Sequence, residues 1–189
     1  MTVVVNLFAG PGSGKSTTAA DLFAHMKWQN INVELVDEYA KQLSWEKRAT
    51  TLEDQLYVMS AQNRKLTRLK GQVDYIITDS PLIMCLPYCK PHYYPETFPK
   101  LVWDVWNSYD NVNIFLNRVK PFSAVGRHHS EEESKELDKT IKLMLYENNV
   151  PFTSIDGDAD AKDKIVESIP RLKEMREFHN YLKTRESNP

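Results

Sequence analysis

One octapeptide constrains this chain more than anything else in it: Ala9-Gly10-Pro11-Gly12-Ser13-Gly14-Lys15-Ser16. An apolar run, Val3-Val4-Val5-Asn6-Leu7-Phe8, enters it, and an Ala-rich amphipathic segment from Lys15 to about Trp28 leaves it. Strand, glycine loop and helix in that order are the signature of a phosphate-binding loop. The glycines let successive backbone N–H groups turn inward around a polyphosphate, in conformations that a Cβ would forbid. The following helix adds its unpaired first amides and the positive end of its dipole. Gly10, Pro11, Gly12, Ser13, Gly14, Lys15, Ser16 and Thr17 are therefore the expected nucleotide cradle. Lys15 is expected to reach the β- and γ-phosphates of ATP, and the Ser16 hydroxyl to hold Mg²⁺. Ala9 stands where glycine is usual, a tolerated variant of the loop.

The rest of the chain alternates between strand and helix signals. Ala19, Leu22, Phe23 and Met26 give the first helix a packing face. Val33–Val36 reads as a second strand, and Leu52, Leu56, Met59, Leu66 and Leu69 as one long helix over roughly 52–70. Tyr75–Thr78 is a third strand, and Leu82–Tyr94, with Pro87 and Pro91, reads as irregular with one turn of helix. A helix over Phe98–Tyr109 precedes a fourth strand, Asn113–Leu116, and a polar flexible stretch, Arg118–Ser130. Ser130 and Glu133 form a capping box opening a helix whose Leu137, Ile141, Met144 and Leu145 point inward. Phe152–Ile155 is a fifth strand; a helical region over about 162–183 is broken by Pro170, and the tail after Thr184 frays. The pattern predicts an α/β fold, a parallel five-stranded sheet with helices on both faces joined by right-handed crossovers. It carries no strand order.

A chain of 189 residues is the length of one domain with a full core, so residues 1–189 are expected to form a single domain. A formal charge of −2 excludes a global basic field that would draw the protein to nucleic acid, though not a local basic groove. No apolar run is long enough to span a bilayer, and no charged flank with a cleavage site precedes the first strand. Cys85 and Cys89 do not make a disulfide framework, which fits a cytoplasmic setting, and with His92 they lack a fourth ligand at zinc spacing.

In an open parallel sheet, ligands sit beyond the carboxyl ends of the strands. Asp79 ends the third strand, where a Mg²⁺-organising carboxylate belongs beside a phosphate loop. Asp37 and Glu38 end the second, and either can take the proton of an attacking hydroxyl. After the fourth strand come Arg118, Lys120, Arg127, His128 and His129. Arg127 behind the hinge of Gly126 is the expected lid arginine, stabilising transferred-phosphoryl charge. Gln55, Gln62, Asn63 and Arg64 on the long helix can read a base edge or stand as solvated polars. The aromatics Tyr88, Tyr93, Tyr94, Phe98, Trp103 and Trp106 can stack a base or fill the core.

Phe8–Thr17, Glu38-Tyr39-Ala40-Lys41 and Ile77-Thr78-Asp79-Ser80-Pro81 together resemble the small P-loop kinases encoded by bacteriophages. Lys120-Pro121-Phe122, Gly126-Arg127 and Glu131-Glu132-Glu133 fit the same group, which is similar to nicotinamide riboside kinases and, more distantly, to deoxynucleoside kinases. The resemblance implies a P-loop NTPase-type sheet with a lid at about 118–131 after the fourth strand, and adenine near Arg118 and the Asp156-Gly157 turn. It also implies an acceptor. Some of these kinases phosphorylate 5-hydroxymethyluracil in DNA, and the Glu-Pro and Asp-Arg-Ser/Tyr motifs of deoxynucleoside kinases are missing here. The expected activity is transfer of the γ-phosphoryl of ATP, with Mg²⁺, to that 5-hydroxymethyl group. The alternatives are a free nucleoside, nucleotide or nicotinamide riboside as acceptor, or a nucleotide-gated ATPase switch.

Overall fold

The computed structural model describes residues 1–90, 92–122 and 130–177. Arg127, His128 and His129 therefore lie outside the described residues, as do the core of the expected lid and the tail beyond residue 177. Five parallel strands form one sheet in the order β2-β3-β1-β4-β5. They are β1 Val3–Phe8, β2 Val33–Val36, β3 Tyr75–Thr78, β4 Asp110–Asn117 and β5 Thr153–Asp156. The five-stranded parallel sheet that the alternating pattern predicted is present, and its order adds what periodicity could not carry.

Central β1 pairs with β3 through Val4↔Ile76 and with β4 through Phe8↔Phe115. Its side chains alternate between two cores, as the period of a strand requires. Val5 and Leu7 pack with Leu22 and Met26 of α1 (Lys15–Trp28) and with Ile165 and Val166 of α7 (Ala161–Ser168). Val4 and Phe8 face Met59 and Leu66 of α4 (Gln55–Thr67), Val102 and Trp106 of α5 (Thr97–Asn107) and Ile141 and Leu145 of α6 (Glu131–Glu147). Asn6 interrupts that second face, fully buried, and donates to the side-chain oxygens of Asn111 at 3.0 Å and Asn113 at 3.2 Å.

Local chemistry moved several boundaries. The single helix expected over 52–70 is two: α3 (Ala49–Glu53) ends at Asp54, whose side chain accepts from the Tyr57 N–H and opens α4. An aspartate that caps the next helix cannot also continue the previous one. The helix α2 (Tyr39–Trp45) fills a stretch for which no helix was expected, while a seven-residue 3-10 helix, Leu82–Tyr88, supplies the helical turn expected within Leu82–Tyr94. β4 extends to eight residues because its first half pairs beside β1 despite its polar side chains. The capping box of Ser130 and Glu133 forms as expected. Helix resumes over residues 170–177 after a break at Ile169, with Pro170 at its first position.

Candidate active site

The glycine loop leaves β1 at the centre of the sheet and delivers its last residues to the first turn of α1. Two of its glycines are required by conformation: Gly12 has φ +76° and Gly14 φ +103°. The segment following β4 lies over them. A Cβ on Gly12 would meet the Phe122 ring at 2.9 Å and Arg118 Nη1 at 3.3 Å, and one on Gly14 would approach Lys120 at 3.7 Å. Gly157, just past β5, sits 3.0 Å (from its would-be Cβ) against the Ser13 carbonyl. Arg118 and Gly157, which the resemblance places near adenine, both lie against the phosphate loop.

Three elements bring the expected chemistry together at the carboxyl end of the sheet. Lys15 Nζ donates to the carbonyls of Ala9, at 2.7 Å, and Gly10, at 3.0 Å, curling back over its own loop. Ser16 Oγ donates to Asp79 Oδ2 at 2.5 Å, joining α1 to the end of β3. Asp79 is buried, and its other oxygen, Oδ1, has no partner among the described residues. The Ser13 hydroxyl and, beside Gly12, Arg118 Nη1 are also buried and have no partner among the described residues. Orphaned buried polar atoms are costly unless a ligand takes them. The donor set of a hydroxyl and a carboxylate with a free oxygen is the hard-oxygen chemistry that fits Mg²⁺. No group of three or more His, Cys, Asp or Glu able to hold a metal occurs among the described residues, so phosphate oxygens or water would complete that coordination.

Asp37 and Glu38 both line a smaller cavity of about 290 Å³ with Ser16 and Asp79, but their surroundings differ. Asp37 is exposed and held by Lys65 Nζ at 2.9 Å and Gln42 at 2.8 Å. Desolvation pushes its pKa up, but the bonds from Lys65 and Gln42 outweigh that and leave it lowered. Glu38 also lines a larger cavity of about 400 Å³ with Lys15, Ser16 and Asp79. Desolvation raises its pKa; the ammonium of Lys15 opposes that and the charge of Asp79 adds to it. Burial is also what lowers the pKa of Lys15, against the pull of Glu38, Asp79 and Asp138.

From this charged end the cavity runs away from the phosphate loop between α2, α4 and the 3-10 helix. Leu52, Val58, Met59, Leu82 and Met84 give it apolar wall there, beside the polar Lys41 and Ser44. Buried Gln55 lines it too, its side-chain N–H bonded to the Leu52 carbonyl at 2.8 Å. Gln62 lines the cavity as well, and two of the helix polars also bond to neighbouring elements. Gln62 accepts from the Tyr39 N–H at 2.9 Å, and Asn63 accepts from the Tyr109 hydroxyl at 2.7 Å. Of the aromatic cluster, Tyr88 reaches the cavity, while Phe98 and Trp106 are core. Tyr93 packs edge-on against Phe98 at 5.3 Å and donates to Asp54.

One residue at this site escaped the sequence reading altogether. Asp138 of α6 accepts from the Gly10 N–H at 2.5 Å and from Arg118 Nε and Nη2 at 3.1 and 3.0 Å. A signal for it existed: Asp138 shares a helical stripe with buried Ser134, Ile141 and Leu145, and a carboxylate on a core-facing stripe asks for a partner.

Residues 4–162 match a family model described as AAA domain. No relative is found among curated proteins. Among solved structures the fold is similar to thymidylate kinase from Ehrlichia chaffeensis, at 13% identity and TM-score 0.58, covering 89% of this chain and 99% of that one. It is also similar to deoxyadenosine kinase from M. mycoides bound to dCMP and dCDP, at 21% identity and TM-score 0.53, covering 91% and 99%. No helix among the described residues is long and apolar enough to cross a membrane.

Proposed function

The chain belongs to the AAA domain family, and from that premise we propose that it is a kinase, moving the γ-phosphoryl group of ATP to a hydroxyl of a pyrimidine-type acceptor. The observation that carries this reading is a single cavity lined by Lys15, Ser16, Asp79 and Glu38 and also by Leu52, Val58, Met59, Leu82 and Met84 from other elements. A switch needs no second compartment, whereas a transferase must hold an acceptor in line with the phosphate. The two similar folds are both kinases of nucleotides or nucleosides, which supports the same class.

In this scheme the loop amides and Lys15 bind the polyphosphate and offset its charge. Ser16 and Asp79 hold Mg²⁺, whose contribution is to neutralise phosphate charge. Glu38 receives the proton from the acceptor hydroxyl. A carboxylate with a raised pKa in a desolvated site is suited to that step, and Glu38 is the one of the pair that lines the larger cavity with Lys15. Asp37, bound to Lys65 and Gln42, positions the β2–α2 connection. The lid-arginine role that the sequence gives Arg127, outside the described residues, stays part of this proposal.

For the acceptor we propose the 5-hydroxymethyl group of 5-hydroxymethyluracil in DNA. The apolar walls suit a pyrimidine ring, and the side-chain oxygen of Gln55, which makes no hydrogen bond among the described residues, matches the N–H of a uracil edge. A base in a duplex would have to be flipped out to reach this depth. Incubation with labelled ATP and either hydroxymethylated DNA or free nucleosides tests the proposal, with mass spectrometry reporting the gain of one phosphate. Label confined to free nucleosides ends the DNA acceptor and keeps the kinase. ATP hydrolysis with no phosphorylated acceptor in any screen ends the kinase reading. Lys15→Ala should abolish transfer in a folded protein, and Asp79→Asn should shift the Mg²⁺ titration to much higher concentration.

A further inference from the structure

The loop that binds polyphosphate in the reading above is braced by a helix from the far side of the sheet. α6 packs so closely on Gly10 that a Cβ there would lie 2.4 Å from the Ser134 carbonyl and 2.9 Å from Asp138 Oδ1. Asp138 uses each carboxylate oxygen separately. Oδ1 accepts from the first amide of the loop, and Oδ2 takes two N–H groups of the Arg118 guanidinium. The side chains of Arg118 and Asp138 are only 10% and 18% exposed, so this pair is poorly screened. The third nitrogen of the guanidinium, Nη1, is buried with no partner among the described residues and lies 3.3 Å from where a Cβ on Gly12 would be. Gly12 lines the cavity and takes part in the phosphate cradle. A buried N–H held at such a place is short of an acceptor, and an anionic oxygen supplies the strongest one.

We propose that Asp138 is a positioning residue for nucleotide binding: it locks the Gly10 amide and the Arg118 guanidinium into one unit, so that Arg118 Nη1 is presented to the polyphosphate above Gly12. The inference rests on the nucleotide-binding reading. Asp138 itself touches no ligand. It fixes the roll of the guanidinium about its own axis, since two of the five guanidinium donors are committed to one carboxylate oxygen. Without that grip Arg118 keeps its charge but not the direction of its free N–H groups, and the entropic cost of fixing them falls on the binding step.

The test measures MgATP affinity by calorimetry in wild type, Asp138→Asn, Arg118→Ala and the double variant, with thermal unfolding of each without nucleotide. Asparagine is close to aspartate in size and its oxygen can still accept from the Gly10 N–H, so the brace on the loop survives while the ion pair is lost. Asp138→Asn should raise the Kd for MgATP about tenfold. Arg118→Ala should give a similar loss, and the double variant should be no weaker than Arg118→Ala alone. A purely structural aspartate predicts instead a lower Tm with unchanged affinity of the folded protein. Wild-type affinity in Asp138→Asn, or losses that multiply in the double variant, overturns the assignment. Should Asp138→Asn fail to fold, Arg118→Lys leaves Asp138 bonded to Gly10 and carries the test; wild-type affinity there overturns it equally. If wild type itself does not bind MgATP, the nucleotide reading fails and takes this inference with it.

Discussion

Glu38 and Asp37 are adjacent carboxylates that the structure makes chemically different. One lines the cavity with Lys15 and Asp79; the other is exposed and ion-paired. Glu38→Gln should therefore lower kcat by about 10²–10⁴, the usual contribution of a general base, while Asp37→Asn stays within a few-fold of wild type. Steady-state kinetics of the two variants decide it, and equal losses would refute the division of roles. The kcat/KM profile should rise with pH through an apparent pKa above the ordinary 4.5 of glutamate, and that rise should vanish in Glu38→Gln. Stability runs the other way. A carboxyl whose pKa is raised in the folded state favours folding when protonated, and that stability is lost as pH climbs from 4.5 through the folded pKa. Glu38→Gln should accordingly unfold at a higher Tm than wild type at pH 7, with the difference closing below about pH 4.5. A site that holds a destabilising charge for chemistry predicts this sign, and a decorative surface glutamate does not.

Among the elements, α4 gives the cavity four of its lining residues, Gln55, Val58, Met59 and Gln62, and on the proposed reading these face the acceptor. Its start depends on Asp54, which accepts from the Tyr57 N–H at 3.2 Å and from the Tyr93 hydroxyl at 2.7 Å. Asp54→Ala should cost about 1 kcal/mol of stability in denaturant unfolding, the usual loss for an N-cap. Because the first turn of α4 would fray, the KM for acceptor should rise more than that for ATP; equal rises would detach α4 from the acceptor. The split of the expected 52–70 helix into α3 and α4 shows why such a cap is hard to read. Apolar spacing persists across Asp54, from Leu52 to Leu56, although Leu56 ends up 41% exposed. Periodicity reports a face only where the helix is continuous. The cap of α6 was legible because Ser130 and Glu133 form it from residues three apart, with no tertiary partner needed.

For the molecule as a whole, a ligand that binds only the folded state must stabilise all of it. MgATP at about 100 times its Kd should add about 2.7 kcal/mol, a Tm rise of roughly 5–10 °C for a chain of this size, and Lys15→Ala should abolish the shift. A thermal melt of both proteins, with and without nucleotide, checks this. The sequence by itself determined the sheet and the phosphate loop, since strand alternation, glycine spacing and the Lys15-Ser16 pair are local patterns with local causes. It also named Asp79, because a carboxylate at a strand end is visible from the run before it. Only the tertiary structure decided the strand order, the placing of Glu38 beside Lys15 in one cavity, the walls of that cavity and the grip of Asp138 on the loop. Asp138 meets Gly10 across 128 positions of chain, and a contact of that kind exists only once β4 and α6 have packed beside β1.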